Sequence, residues 1–482
     1  MVISQASVIK EYETKVHDTN GCPGHFTADE QRKVARLWTL LLDYFENNKD
    51  KSVKVNGEFL QKIERDWSDL DVHEGLSDEE PEEVTRRAWK FTKGDSTIRK
   101  FSIRSKKEKP NRERQALDRH VNETVQQYMD RIAGHHVTLI PDKFFPSFEH
   151  PSTETRDFRD TFWNAASIKQ HPDFWVHRFL RACGWDVDKT FAMLKSVVEW
   201  RAAEAVDKIN YEGEVGSGYD EVRLGFSKLV GRDRLGCPLL YVRVRRIMPR
   251  ANEGFVFKRY LINQFECLQA ATRKHTRTTM LYDFTGFCME NTPFSMVYFM
   301  VFLGIKYYAE ASGVMILLVD SWLFTNFWNL IRPFLDANLS ARIVFAKTVD
   351  EVRRFIDDDQ LPTALGGKNT FESDFVLPKE GENAPMFELE GRKEAEKIWR
   401  VRISEFEKAT KEWCSYVEST NSGNIADPNN SYAVKRDEAG ERLCRAELEL
   451  NKYTRSRNNL ERTGLVDENG CLLLPQDKQQ ST

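Results

Sequence analysis

Cys237 and Arg243 stand at C-x5-R spacing, the spacing that cysteine-dependent phosphatases use. That chemistry needs a loop whose backbone N–H groups surround a phosphate and then open a helix. Here the intervening residues are PLLYV, an apolar run that begins with proline. Alternation along such an extended run puts Cys237 and Arg243 on one face of a strand, with no cradle between them. The ten histidines all precede residue 276, and neither an HExxH pattern nor a Cys/His cluster has metal-ligand spacing. His135 and His136 are adjacent, so their rings diverge. Gly216 and Gly218 lack the third glycine of a dinucleotide fingerprint, and neither GxxxxGK[ST] nor GxSxG occurs. No catalytic residue, metal site or cofactor is expected, and an enzyme ranks last among the functions considered.

What the chain offers instead is apolar bulk in one region. Phe294, Tyr298, Phe299, Phe302, Tyr307, Phe324, Phe327 and Trp328 crowd together in sequence. Such residues build either ordinary core or the wall of a cavity with few polar anchors. Composition alone favours ordinary core. With 482 residues, 40% hydrophobic and 30% charged, the chain reads as two or three globular, soluble units. The 71 basic and 75 acidic residues give a net charge of -4, which provides no general attraction for nucleic acid. Eight cysteines, none in a CxxC pair, fit a reducing compartment. The N-terminal stretch lacks the apolar core of a secretory signal. Phe294–Ile305 is too short to span a bilayer, and the next apolar stretch is broken by Asp320, Asn326 and Arg332. Any membrane is therefore expected to be met from outside.

These residues need a frame. Val34, Leu37, Leu41 and Phe45 have helical spacing, with Thr27 as cap and Glu30 three residues on. An acidic run at 78–83 precedes a basic one from Arg99 to Arg114, so 74–134 reads as a charged, mostly disordered insert. From Pro172, two short helices flank Gly184. Strands at 238–244, 278–284, 313–319 and 341–346 then alternate with helices at 256–274, 293–310, 324–335 and 349–356. That rhythm predicts an α/β fold with a mainly parallel sheet covered by crossover helices. Beyond about 385, helices are predicted at about 398–417 and 434–459, either side of a Gly/Asn/Pro-rich break. The expected units are 1–73 (a segment with an amphipathic helix), 74–134, 135–210 (helical), 211–378 (the sheet) and 379–482 (a helical extension).

Six motifs fall in order: RFLRACGWDVDKT (178–190), GCPLLY (236–241), LYDFTG (281–286), YYAEASG (307–313), IRPFLDANLSARI (331–343) and LPTALGG (361–367). Together they resemble the CRAL-TRIO domain with its N-terminal helical extension, in the manner of fungal phosphatidylinositol transfer proteins. The resemblance covers about residues 140–378. It implies a sheet that floors a deep apolar pocket, a gate above it, and no covalent chemistry. It further implies head-group coordination by Glu310 and Arg342, a pocket lined by Phe265, Thr278, Met280, Tyr282, Phe302 and Leu318, and a gate carrying Phe334, Leu335 and Leu339.

The function implied is binding and transfer of a phospholipid, with phosphatidylinositol first, exchanged at membrane surfaces. The location implied is the cytoplasm, peripheral to the endoplasmic reticulum or other internal membranes. Cys183 replaces a family arginine and Leu339 a threonine. Where choline-lipid binders use tyrosine, serine and threonine this chain has Leu229, Leu240, Phe265, Thr278 and Met280, so phosphatidylcholine is disfavoured. Binding of another hydrophobe such as a sterol is the alternative, as is a lipid-sensing protein that recruits a protein partner through its C-terminal helices.

Overall fold

The computed structural model describes residues 8–10, 12, 25–57, 154–169, 171–217, 225–247, 254–273, 277–286, 299–319, 324, 328, 332, 335, 337–371, 376, 378–420, 425, 430–467 and 469–474. The charged insert expected at 74–134 lies outside them. Helix α1 (Ala28–Asn47) starts as the Thr27/Glu30 spacing predicts: Oγ1 of Thr27 accepts from the Glu30 amide at 3.2 Å, and the Glu30 carboxylate accepts from the Thr27 amide at 2.8 Å. Its stripe of Val34, Leu37, Trp38, Leu41 and Phe45 is buried. A two-stranded antiparallel pair follows, β1 (Ser52–Lys54) with β2 (Thr155–Asp157). Asp157 caps α2 (Phe158–Ala166), and α3 (Asp173–Ala182) and α4 (Val187–Ala203) are the two helices predicted around Gly184. Gly184 and Gly213, which breaks α5 (Val206–Ser217), both take left-handed backbone (φ 62° and 56°), the conformation that glycine tolerates best.

A five-stranded sheet runs β3 (Ser227–Arg232), β4 (Pro238–Arg243), β5 (Thr278–Asp283), β6 (Ser312–Leu318) and β7 (Ile343–Ala346), hydrogen-bonded in that order. β4 to β7 are parallel and β3 is antiparallel to β4, so the sheet is mainly parallel. β3 was not anticipated, because SKLVGR is short and mixes charge with apolar residues. It is an edge strand, half-buried at Ser227, Lys228 and Arg232, where polar residues are tolerated. Helix α6 (Gly254–Ala271) makes the β4-to-β5 crossover. The helix predicted over 293–310 instead passes into a π turn at Leu303–Tyr307, and the one predicted over 349–356 stops at Val352.

Alternation sorts the strands into two apolar layers. Leu239, Tyr241, Leu281, Val314, Ile316, Leu318 and Val344 pack with Val352, Phe355, Ile356 and Leu361 on one face, joined by Val8 and Tyr12. The hydroxyl of Tyr12 donates to Asp233 at 2.6 Å, which ties this N-terminal segment under the sheet. The other face carries the rows described below.

Two long helices complete the frame, α7 (Leu389–Ser419) and α8 (Ser431–Thr454). They pack against each other, and Trp399, Ile403, Phe406 and Trp413 of α7 join the core of α1 to α4. At that junction Trp38 lies flat on Trp163 with ring centres 5.9 Å apart, and Phe406 stands edge-on to both. Arg436 of α8 donates to both oxygens of Asp173 at 2.7 and 2.6 Å, and Trp38 Nε1 donates to the same carboxylate at 2.8 Å. Among the described residues, no helix is long and apolar enough to cross a membrane.

Candidate functional site

The strand register aligns two rows of side chains on the second face. Leu240, Met280, Met315 and Ile343 form one row, and Val242, Tyr282, Leu317 and Phe345 form the next. Above them lies a cavity lined by Met280, Tyr282, Met315, Leu317 and Ile343 from the strands. Phe265 of α6, Met300, Val301, Gly304, Ile305 and Tyr308 from around the π turn, and Phe284, Phe324, Trp328, Leu335 and Leu339 complete the wall. It holds about 1260 Å³ of space free of atoms, part of it open to solvent. The phenol of Tyr282 donates to Met280 Sδ at 3.3 Å, and burial pushes its pKa up to about 12.

One end of this cavity is charged. Glu310 sits in the bend before β6 with left-handed backbone (φ 57°), a conformation costly for a residue with a Cβ. Arg342 closes on both of its carboxylate oxygens as a two-pronged fork and also donates to the Ser312 carbonyl at 3.3 Å. Arg181 Nε approaches the same carboxylate at 3.5 Å. Arg178, 2% exposed, donates to Gln269 at 2.8 Å, while its Nε has no hydrogen-bond partner, and neither does that of Arg342. Burial lowers the Arg178 pKa to about 10 against the pull of Glu310 and Glu266. Three guanidinium groups thus gather at one carboxylate.

A second network braces this end from behind. Glu266 of α6 accepts from Arg201 at 2.8 and 3.0 Å, from Asn210 at 3.0 Å, from the Tyr308 hydroxyl at 2.8 Å and from Arg455 at 3.3 Å. Burial is the largest single influence and opposes its ionisation, but the Arg201 and Arg455 charges together with the hydrogen bonds from Arg201 and Asn210 outweigh it and hold the carboxyl below the usual range. Phe265 stacks on Tyr308 at 4.8 Å, which joins α6 to the segment just after the π turn in one wall.

The expected residues divide as follows. Glu310 and Arg342 meet, and Phe265, Met280, Tyr282, Leu335 and Leu339 line the cavity. Phe334 lies outside the described residues. Leu318 points to the opposite face, into the layer with Val344 and Phe355. A register irregularity between Thr278 and Met280 sets three β6 residues against two on β5, which shifts the alternation on β6. Thr278 lies one pleat below the cavity, against a small space shared with Lys169 and Arg178. Phe302 packs edge-on to Tyr307 at 5.8 Å, off the helical face on which Met300, Val301, Gly304 and Ile305 meet the cavity. Leu229 and Leu240 join a small cluster with Leu268, Leu465, Leu472 and Leu474, where the C-terminal segment covers the β3–β4 side. Sequence reasoning missed Arg178 and Arg181. Their signal was present in RFLRACGW, since positions three apart share a helix face.

Residues 223–367 match the CRAL/TRIO domain, and residues 140–196 match the CRAL/TRIO N-terminal domain. The chain is 28% identical over 321 residues to Phosphatidylinositol transfer protein CSR1 of Eremothecium gossypii, covering 64% of this chain and 70% of that one. It is 25% identical over 314 residues to CRAL-TRIO domain-containing protein C3H8.02 of Schizosaccharomyces pombe, covering 64% and 68%. Phosphatidylinositol/phosphatidylcholine transfer protein SFH14 of Arabidopsis thaliana matches at 26% over 218 residues, covering 41% of this chain and 38% of that one. The two matches take in the sheet and the helices that precede it, so these stretches of the chain are similar to the two parts of the CRAL/TRIO fold.

Proposed function

We propose that this protein binds one phospholipid in the cavity and transfers it between membranes, with phosphatidylinositol as the preferred cargo. The supporting observation is an apolar chamber that ends at Glu310, Arg342, Arg181 and Arg178, three cations facing one anion. An anionic phosphate would balance the surplus. The fork of Arg342 suits phosphate oxygens, and Glu310 can accept hydrogen bonds from inositol hydroxyls. The name of the Eremothecium relative points to the same cargo.

The energetics require no covalent step. Two acyl chains carry roughly 30 methylenes, and each costs about 0.8 kcal/mol to hydrate, so a bare lipid faces a barrier on the order of 20 kcal/mol. A dry wall of Met, Phe and Leu replaces bilayer with an equally apolar surface. Leu335 and Leu339, with Phe334, form the gate in this reading. Exchange then occurs at the cytoplasmic surface of internal membranes such as the endoplasmic reticulum. Residues 135–210 and 211–378 act as the lipid-binding unit, and 379–482 as a bracing extension. A sterol is the second reading, favoured by the apolar row Leu240, Met280, Met315 and Ile343, which offers nothing to a choline head group.

The test is transfer of labelled phosphatidylinositol and of labelled phosphatidylcholine between vesicles. Wild-type protein should move the former faster, and Arg342→Ala should lose that preference. Equal rates for both lipids in wild type, or a preference that survives Arg342→Ala, would remove the head-group assignment. Sterol transfer without phospholipid transfer would favour the second reading.

A further inference from the structure

The row that floors the cavity does not end inside it. Val242, Tyr282, Leu317 and Phe345 lie side by side across four strands, and the fourth is 43% exposed. Its neighbours in β7, Val344 and Ala346, turn into the buried layer beneath, so exposure falls on the cavity-side residue alone. The ring of Phe345 stands edge-on to Trp328 with centres 4.9 Å apart, and 5.9 Å from Phe324. Phe324 in turn meets Phe284 at 4.7 Å. Phe284, Phe324 and Trp328 all line the cavity. An unbroken aromatic surface therefore leads from the chamber to an exposed phenyl ring on the last strand of the sheet. Lys347 continues the same alternation and is exposed, as is Arg332, one turn from the lining residue Leu335.

We propose that Phe345, with Trp328 and Phe324 behind it, forms the lip through which the cavity opens onto a lipid bilayer. This rests on the lipid-carrier reading and assigns it a docking surface. The occupant follows from chemistry. Aromatic rings flanked by cations suit the bilayer interface, where the ring enters the acyl boundary and the cation stays at the phosphates. A chain entering the cavity over this lip keeps apolar contact throughout and crosses no water. A protein groove would meet Phe345 equally well, but it would have no need of continuity with the chamber.

The experiment uses the full-length protein with vesicles of phosphatidylcholine containing one fifth phosphatidylinositol. Phe345→Asp should lower both vesicle co-sedimentation and lipid transfer about tenfold, while the phospholipid that co-purifies stays at the wild-type amount. Phe345→Trp should transfer at least as fast as wild type, which separates loss of docking from damage to the fold. Wild-type transfer by Phe345→Asp would overturn the proposal, as would slow transfer by both variants. Loss of a protein partner with vesicle binding intact would also overturn it. A wild-type protein that carries no phospholipid would instead overturn the carrier reading on which the proposal rests.

Discussion

Replacing Glu310 by glutamine tests the head-group end of the cavity most sharply. The side chains of Glu310, Arg342 and Arg181 are 6%, 4% and 12% exposed, and Arg178 lies beside them. Removing one partner of a buried ion pair while leaving the other costs about 3–5 kcal/mol. Glutamine keeps the volume and one acceptor but removes the carboxylate that Arg342 and Arg181 share. The midpoint of thermal unfolding should drop by roughly 5 °C. The compensating prediction is about ligand. In wild type a lipid phosphate must share the Arg342 fork with Glu310; in Glu310→Gln it has the fork to itself. At a hundredfold excess over its dissociation constant a ligand restores about 2.7 kcal/mol. Differential scanning fluorimetry with short-chain lipids should therefore show a larger midpoint gain from phosphatidylinositol or phosphatidic acid in the variant than in wild type, with little from phosphatidylcholine. If the variant melts with wild type, or gains equally from phosphatidylcholine, the claim of surplus buried cation is wrong.

Acidification gives a second prediction. Burial lowers His171 to about 4 and His177 to about 3, so below about 6.5 the unfolded chain takes up protons that the folded chain refuses. Stability falls as pH falls, by about 1.4 kcal/mol per unit for each histidine, or about 5 kcal/mol between pH 6.5 and 4.5. Carboxyls raised by burial, such as Asp437 at about 6, act in the opposite direction, so the test is the difference between denaturant titrations of wild type and His177→Gln, in which the variant should lose about 2–3 kcal/mol less over that range. Arg436→Met should cost about 3–5 kcal/mol by stranding Asp173, and it should cost far less when Asp173→Asn is already present. Gly440→Ala would place a Cβ 2.2 Å from the His171 ring, so limited proteolysis should cut the α7–α8 pair free sooner than in wild type.

The sheet was legible because its strands are apolar runs bounded by turns, and buried parallel strands must be apolar on both faces. Helix α1 was legible from its cap and stripe. What alternation along single strands could not give was the register between strands. The irregularity between Thr278 and Met280 sends Leu318 away from the cavity, and no residue type there signals it. Phe302 stays out of the lining because Met300, Val301, Gly304, Ile305 and Tyr308 share one helical face and Phe302 lies about a third of a turn away from it. Glu310 and Arg342 came from resemblance, not from spacing, because 32 positions separate them. The contribution of α3 escaped because Arg178 and Arg181 sit in a helix whose exposed-looking charges turn inward. β3 escaped because an edge strand tolerates polar residues.

The account stands on a phospholipid occupying the cavity, and native mass spectrometry of the purified full-length protein tests it most directly. The predicted result is one bound phospholipid per chain, identified as phosphatidylinositol on dissociation and lost in a variant whose cavity is filled by Met315→Trp and Ile343→Trp. A folded wild-type protein with no bound lipid, also after incubation with phosphatidylinositol vesicles, would contradict it.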